Sequence, residues 1–493
     1  MSPNTLSLVA RDPLTNPESI EPTNNRPHAP ICTLNGDVLL NIFHLYRLAD
    51  PDEYEDECGE LTMEWYRQRW WYKLAHVCRL WRNLILGSPS RLDLHLFCTK
   101  GVPVADMLAH SPPLPLTIHY HHINREITAE DESGILLALS RHRDRVQNIF
   151  IWMPTINLRK LIMAMDGQFP ILERMHINSR TDVVFPITFQ APNLRHVVLW
   201  TASVPIRSPL LTTTASLVSL QLTDISLSSY FPPSYLLTRL PLMLQLEKFT
   251  IGFRSPVPKR DVERHTPNMT RVTLPNLRWF RFQGTSAYLE SLVARISAPS
   301  LCMLRVHLSN QLSFTIPRLL QFMQTSENVN FSTVKLTFNN SFVHCMADPW
   351  RKTPPLQLQI TCRHLDWQVA SAAQILGTLL PALSVVEEVT LIHKKHSQSS
   401  EWHSDVDRTQ WRELLRPFSN AKILHVQDEL VGKISRSLQS DDGELPLELL
   451  PNLKELGYSG GSDTRNAFTT FIDERQVAGC PVNLTTVDSL VFG

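Results

Sequence analysis

Gly457-Tyr458-Ser459-Gly460-Gly461 spells G-x-S-x-G, the pattern that sets a serine on a sharp strand-to-helix turn where it can attack a carbonyl carbon. That chemistry needs a histidine to take the hydroxyl proton and a carboxylate to orient it, and in α/β-hydrolases the histidine follows the serine along the chain. The last histidine here is His425, upstream of Ser459. A serine hydrolase using Ser459 therefore stands only as an alternative, and the glycines read as a strand end and a turn. His119-Tyr120-His121-His122 and His393-Lys394-Lys395-His396 lack Cys or carboxylates at metal-ligand spacing, and the lysines would oppose a cation. Both groups read as surface histidines, and no metal is expected. Neither GxxxxGK[ST] nor GxGxxG occurs among only 16 glycines, so no nucleotide cofactor is expected either. The expectation is a protein that is not an enzyme, with no catalytic residues and no cofactor.

Composition narrows the partners. Lys+Arg and Asp+Glu both number 47, so no net field draws the chain to nucleic acid or to an anionic membrane. The N-terminal stretch has no sustained apolar region, and no apolar run approaches the roughly 20 residues a membrane helix needs. The eight cysteines lie far apart with no CxxC pair; they read as reduced thiols, which implies a cytoplasmic or nuclear protein. A chain of 493 residues exceeds what one core usually serves, so it must form several domains or one continuous repeat array.

Residues 1–30 mix Pro, Asn, Ser and Thr with few large apolar side chains and read as a disordered leader. From Leu34 the pattern becomes helical: Leu39, Ile42, Phe43 and Tyr46 recur at spacings of three and four, with Asp37 near the positive end. The acidic stretch Asp50 to Glu57 reads as a surface loop. Leu61 to Leu86 contains no Gly or Pro and predicts one long helix with Trp70, Trp71, Leu74, Val77, Cys78, Trp81, Leu84 and Ile85 on a stripe. Gly87 is expected to close it and Pro89 to forbid its return. Residues 31–92 thus form a helical unit too small to be very stable alone.

After Pro89 the period changes to that of strands, in Leu92 to Leu96 and Leu114 to Tyr120. From about residue 140 a motif L-x-x-L-x-L returns, usually after Pro or a polar turn: Val146/Ile149/Ile151, Leu172/Met175/Ile177, Leu194/Val197/Leu199, Leu217/Leu220/Leu222, Leu246/Phe249/Ile251, Leu277/Phe280/Phe282, Leu301/Leu304/Val306 and Phe331/Val334/Leu336. The copies begin 22 to 31 residues apart, close to the period of leucine-rich repeats. Sparser copies follow at Val386/Val389/Leu391, Ala421/Leu424/Val426 and Leu453/Leu456/Tyr458, with Leu356 to Ile360 a strand in the wide gap. Helices are expected at Ser286 to Ile296, Ile316 to Thr325, Ala370 to Leu380 and Arg408 to Leu415. The fold class is α/β: a short helical unit, then over residues 93–493 an irregular leucine-rich repeat-like solenoid with a parallel sheet. A conventional α/β domain is the other reading, since buried strands are apolar in any fold. Strand alternation would turn Trp152, His176, Asn178, Trp200, Gln221, Thr223, Arg281, Gln283, Arg305 and His307 toward one shared surface. Trp152, His176, Trp200, Gln221, Arg281 and Arg305 are the candidate target-binding residues.

The helical unit resembles the F-box, and the whole arrangement is similar to fungal F-box proteins with leucine-rich repeat-like C-terminal regions. The matching residues are Leu34-x-x-Asp37-Val38-Leu39-x-x-Ile42-Phe43 and Leu74-x-x-Val77-Cys78-Arg79-x-Trp81-Arg82-x-Leu84. Met107 to Leu116 and His142-Arg143-Asp144-Arg145-Val146 also resemble phrases of that group. Asn35 replaces the usual Pro, and the insertion from about Leu48 to Gln68 separates the two halves. The resemblance implies that Leu34, Val38, Leu39, Ile42, Phe43, Leu74, Val77, Cys78, Trp81 and Leu84 dock on a Skp-type adaptor. That would tether the chain to a cullin-based ubiquitin ligase while the solenoid holds a protein substrate; a scaffold acting outside a ligase is the alternative.

Overall fold

The structure is a computed structural model. It describes residues 34–48, 70–121, 127–203, 209–212, 215–254, 271–309, 314, 316–326, 331–349, 351, 354–362, 364–394, 407–439, 449–459 and 466–487. The leader and the acidic loop expected from the sequence lie outside the described residues. The chain divides into two compact units, Met1–Leu94 and His95–Gly493.

In the first unit, helices run over Gly36–Leu48, Trp70–Ala75, Arg79–Gly87 and Pro89–Leu92. The single helix expected to end at Leu86 is therefore broken. Cys78 is extended (φ −157°, ψ 169°), and its Sγ accepts a hydrogen bond from the Trp81 backbone N–H at 3.5 Å. Arg82 Nε reaches back across the break to the Ala75 carbonyl at 3.0 Å. The buried residues are Trp71 and Ala75 before the break, Trp81 and Ile85 after it. Ala75 and Trp81 would point about 120° apart on one unbroken helix; the break lets both face inward. Pro89 does not end the helical structure as expected but begins a short helix, where its missing N–H is not needed.

Among the described residues, the second unit is built on a sheet of 16 strands. Its strands are β1 Leu96–Thr99, β2 Leu116–His121, β3 Val146–Trp152, β4 Arg174–Val184, β5 His196–Ser203, β6 Ser219–Ile225 and β7 Lys248–Phe253. After β8 Val272–Thr273 come β9 Trp279–Gly284, β10 Ile296–Ser297, β11 Met303–Ser309, β12 Thr333–Asn339, β13 Phe342–Ala347 and β14 Leu356–Thr361. The last four are β15 Glu388–Lys394, β16 Ile423–Val426, β17 Glu455–Tyr458 and β18 Asn483–Thr486. Strands β8 and β10 pair separately. The others follow the chain from β1 to β11 and again from β15 to β18, each parallel to the next. Helices such as Ala129–Arg141, Ser286–Val293, Pro317–Gln324, Leu365–Thr378 and Arg408–Leu415 return the chain between strands. The second apolar position of each motif copy lines one buried row, Ile149, Met175, Val197, Leu220, Phe249, Phe280 and Leu304, in direct register. Each repeat thus buries its neighbour's apolar face, so that one core runs across the stack.

One expected repeat is placed differently. The copy Phe331/Val334/Leu336 does not follow Leu301/Leu304/Val306 across the sheet; β11 pairs with β14, and β14, β13 and β12 then run backwards before β12 pairs with β15. Among the described strands, β13 alone runs antiparallel to both of its neighbours. A tight turn at Asn339–Ser341 makes this possible: Asn339 Oδ1 accepts the Ser341 and Phe342 N–H groups at 2.9 and 2.8 Å. Gln368, fully buried, donates through Nε2 to the Asn339 and Cys362 carbonyls, both at 2.7 Å.

The polar turns before the strands stitch the repeats together. Asn193 Nδ2 donates to the Pro170 carbonyl at 2.7 Å, Asn276 to Leu244 at 3.0 Å, Asn420 to Ser384 at 2.6 Å and Asn452 to Ser419 at 3.2 Å, each one turn back in the stack. Arg145 does the same with a guanidinium, donating to the Pro112 and Leu114 carbonyls at 3.0 to 3.1 Å, while its own carbonyl accepts the Leu116 N–H at 2.7 Å. The two downstream phrases noted in the sequence therefore meet in space.

Candidate protein-binding surfaces

Helix Gly36–Leu48 carries two apolar stripes. Leu39, Leu40 and Phe43 are buried, whereas Val38, Ile42, Leu45 and Tyr46 are exposed at i, i+4, i+7 and i+8, on one face. Phe43 meets Trp81 edge to face with ring centroids 4.8 Å apart. Of the ten residues singled out for adaptor docking, Leu39, Phe43 and Trp81 lie in the unit's core and Leu74, Cys78 and Leu84 are half-buried. Leu34, Val38, Ile42 and Val77 are exposed, at 39%, 44%, 38% and 58%. Leu45, Tyr46 and Leu80 are further exposed apolar side chains of the same unit; a one-stripe view of the first helix merges its two faces and hides Leu45 and Tyr46 as a surface.

In the second unit, outward positions of the strands share the sheet face opposite the apolar rows. His176, Gln221, Arg281 and Arg305 fall on one row across β4 to β11. Trp152, Asn178, Trp200 and Thr223 fall on the adjoining row; beyond the register shift between β6 and β7, Gly252, Gln283 and His307 pair in turn. All six candidate target-binding residues thus lie on one face. Trp200 is 37% exposed; Trp152 is half-buried, with His121 edge to face against it at 4.6 Å. Burial, with His121 nearby, lowers the His176 pKa to about 4. Burial, Arg305 and His307 lower that of His344, on β13, to about 4. His307 Nε2 lies 2.6 Å from Thr361 Oγ1. Trp279, 37% exposed with the Lys248 ammonium 4.8 Å above its ring, belongs to this face too. Trp279 precedes the paired apolar residues of its strand, but the alternation that selects Arg281 selects Trp279 as well.

The residues weighed for chemistry have structural partners. Ser459 Oγ accepts the Asp428 N–H at 3.1 Å, at the start of helix Asp428–Leu438. Expected as a surface residue, His393 is buried: its Nδ1 faces the Glu429 carboxylate, and its backbone N–H donates to Gln427 Oε1 at 2.6 Å. Tyr120 is buried between the surface-facing His119 and His121, with its hydroxyl donating to Asp131 Oδ1 at 3.1 Å. His122, His396, Gly460 and Gly461 lie outside the described residues. Among the described residues no group of three or more His, Cys, Asp or Glu is placed to hold a metal ion, and no helix is long and apolar enough to cross a membrane.

No family model matches the sequence, and no curated protein matches it. Among solved structures, a leucine-rich repeat-containing protein from Legionella pneumophila, LegL7, matches at 9% identity with a TM-score of 0.25, covering 78% of this chain and 98% of that one. A TM-score of that size carries no weight for the fold; the repeat architecture rests on this chain's own strand order and register. The class these define is a mixed α/β protein with a large, mostly parallel sheet.

Proposed function

We propose that this chain is a non-catalytic recognition adaptor: its helical unit docks on a Skp-type subunit of a cullin-based ubiquitin ligase, and its sheet face holds a protein target. The observation that carries this reading is the second apolar stripe of the first helix. Val38, Ile42, Leu45 and Tyr46 stay exposed although the unit already has a core in Leu39, Leu40 and Phe43. Such a stripe is the donor in helix-in-groove recognition, and the F-box-like string around Val77 to Leu84 supports the identity of the groove's owner. Work as an adaptor fits a cytoplasmic or nuclear protein. Expression of the intact chain with a Skp-type subunit and a cullin tests the reading. Co-purification of both supports a ligase subunit, recovery of the Skp-type subunit without cullin supports a scaffold, and recovery of neither removes the proposal.

A further inference from the structure

One row of the sheet face is built from two tryptophans with a buried amide between them. Trp152, Asn178 and Trp200 stand in direct register on β3, β4 and β5. Side chains rise roughly perpendicular to a sheet, so the two indoles flank the shorter asparagine. Trp200 is 37% exposed and Asn178 only 5%. Because Ile177 faces the core, alternation turns the Asn178 amide outward, into the space between the indoles. Buried amides are normally paired, yet this side chain has no hydrogen-bond partner among the described residues, and neither indole N–H has an acceptor there. An amide held deep between two aromatic side chains without a partner marks the floor of a binding row.

The adjoining row on the same strands is Phe150, His176 and Val198. It is uncharged at neutral pH, since burial, with His121 nearby, lowers the His176 pKa to about 4. These two rows therefore select by shape and hydrogen bonding and not by charge.

Spacing decides the occupant. Trp152 and Trp200 lie two strand spacings apart, roughly 9.4 to 9.8 Å across the sheet. A polyproline II helix returns residues i and i+3 to one face after roughly 9.3 Å, and its carbonyls carry no internal hydrogen bonds. A peptide in β conformation repeats a face at i+2 or i+4, roughly 7 or 13 Å, and misses one indole. An α-helix reaches roughly 10.5 Å at i+7, but its carbonyls are already bonded and would leave the Asn178 amide unpaired.

We infer that this row takes a proline-bearing segment of a protein target in the polyproline II conformation, with prolines at i and i+3 against Trp152 and Trp200 and a carbonyl between them accepting from Asn178 Nδ2. Proline presets that conformation and brings a carbonyl without an N–H, which suits a row whose unpaired groups include the indole N–H donors.

This inference deepens the reading of the sheet face as the target-holding surface, and is independent of how the helical unit docks. The test is selection of random peptides displayed on phage against the intact chain, followed by fluorescence anisotropy of the selected peptides. Pro-x-x-Pro should be enriched, and its binding should depend little on salt. Moving the second proline to i+4, Trp200→Ala and Asn178→Leu should each weaken binding at least about fivefold. The unfolding temperature should be unchanged in Trp200→Ala and no lower than the parent's in Asn178→Leu, which replaces an unpaired buried amide; a fall there would make Asn178 a structural residue and overturn its role as the floor of the row. If the enriched peptides lack the proline spacing but lose binding with Trp200→Ala, the face holds targets and the polyproline II assignment is wrong. A single-stranded oligonucleotide that binds through the same tryptophans in preference to the peptides overturns the protein-segment assignment. Enrichment of no peptide whose binding depends on Trp152, Trp200 or Asn178 overturns both this inference and the target-holding face.

Discussion

The Trp81 indole stands edge-on to the Phe43 ring, 4.8 Å between centroids, joining the first helix of the small unit to the helix that follows Cys78. Both are buried, so a binding defect on removing either ring would report lost structure. Trp81→Ala should cost about 3–5 kcal/mol of the unit's stability, enough to unfold a helical unit of this size. Chemical denaturation followed by tryptophan fluorescence checks this; an unchanged transition would show that the two rings do not hold the unit together.

The turn asparagines make a second prediction. Asn276→Ala removes a side-chain hydrogen bond to the Leu244 carbonyl in the turn before and should lower stability by about 1 kcal/mol. Asn193→Ala should act alike through Pro170. The sites lie in separate turns with no shared partner, so the two losses should add within a few tenths of a kcal/mol.

The strand order makes a third. Residues His307 and Gln359 are register partners on β11 and β14, so cysteines placed at both should oxidise to a disulfide, whose Cα separation suits neighbouring strands. His307→Cys with Thr337→Cys should stay reduced, because β14 and β13 intervene. Gln368→Leu would leave the Asn339 and Cys362 carbonyls buried without their donor and should cost about 2–3 kcal/mol. A disulfide to Thr337 in place of Gln359 would restore the simple repeat order.

These particulars show what the amino-acid pattern discloses. Strand positions such as Leu220 and Leu222 were legible because a buried row repeats at a fixed spacing, and the shared face of Trp200, Gln221 and Arg281 followed from alternation alone. The backward run of β12 to β14 was not legible. Val334 and Leu336 alternate as any half-buried strand does, and only the Asn339-Asn340-Ser341 turn marks the reversal. Nor was the break at Cys78 legible, because it depends on Trp81 finding Phe43 across the unit, a contact no local period encodes.

Acid should weaken the second unit. Burial holds His176 and His344 at about 4, near His121 in one case and near Arg305 and His307 in the other. Unfolded, each would titrate near 6.5. Their folded pKa values are depressed, so the stability they contribute is fully present above pH 6.5. It falls as pH drops toward 4, with a limiting slope of about 1.4 kcal/mol per pH unit for each histidine. Unfolding temperatures measured across this window should decline less steeply in His176→Gln and His344→Gln; equal slopes in parent and variants would show that these imidazoles do not govern the response.

If the helical unit docks on a Skp-type subunit as proposed, the exposed stripe of the first helix makes the contact and the buried rings behind it do not. Calorimetric titration of the intact chain with that subunit, comparing the parent with Val38→Asp and Ile42→Asp, measures it most directly. The parent should bind, and either variant should lose at least about a hundredfold in affinity with the denaturation midpoint unchanged. Equal affinities in all three, or no binding by the parent, would contradict it.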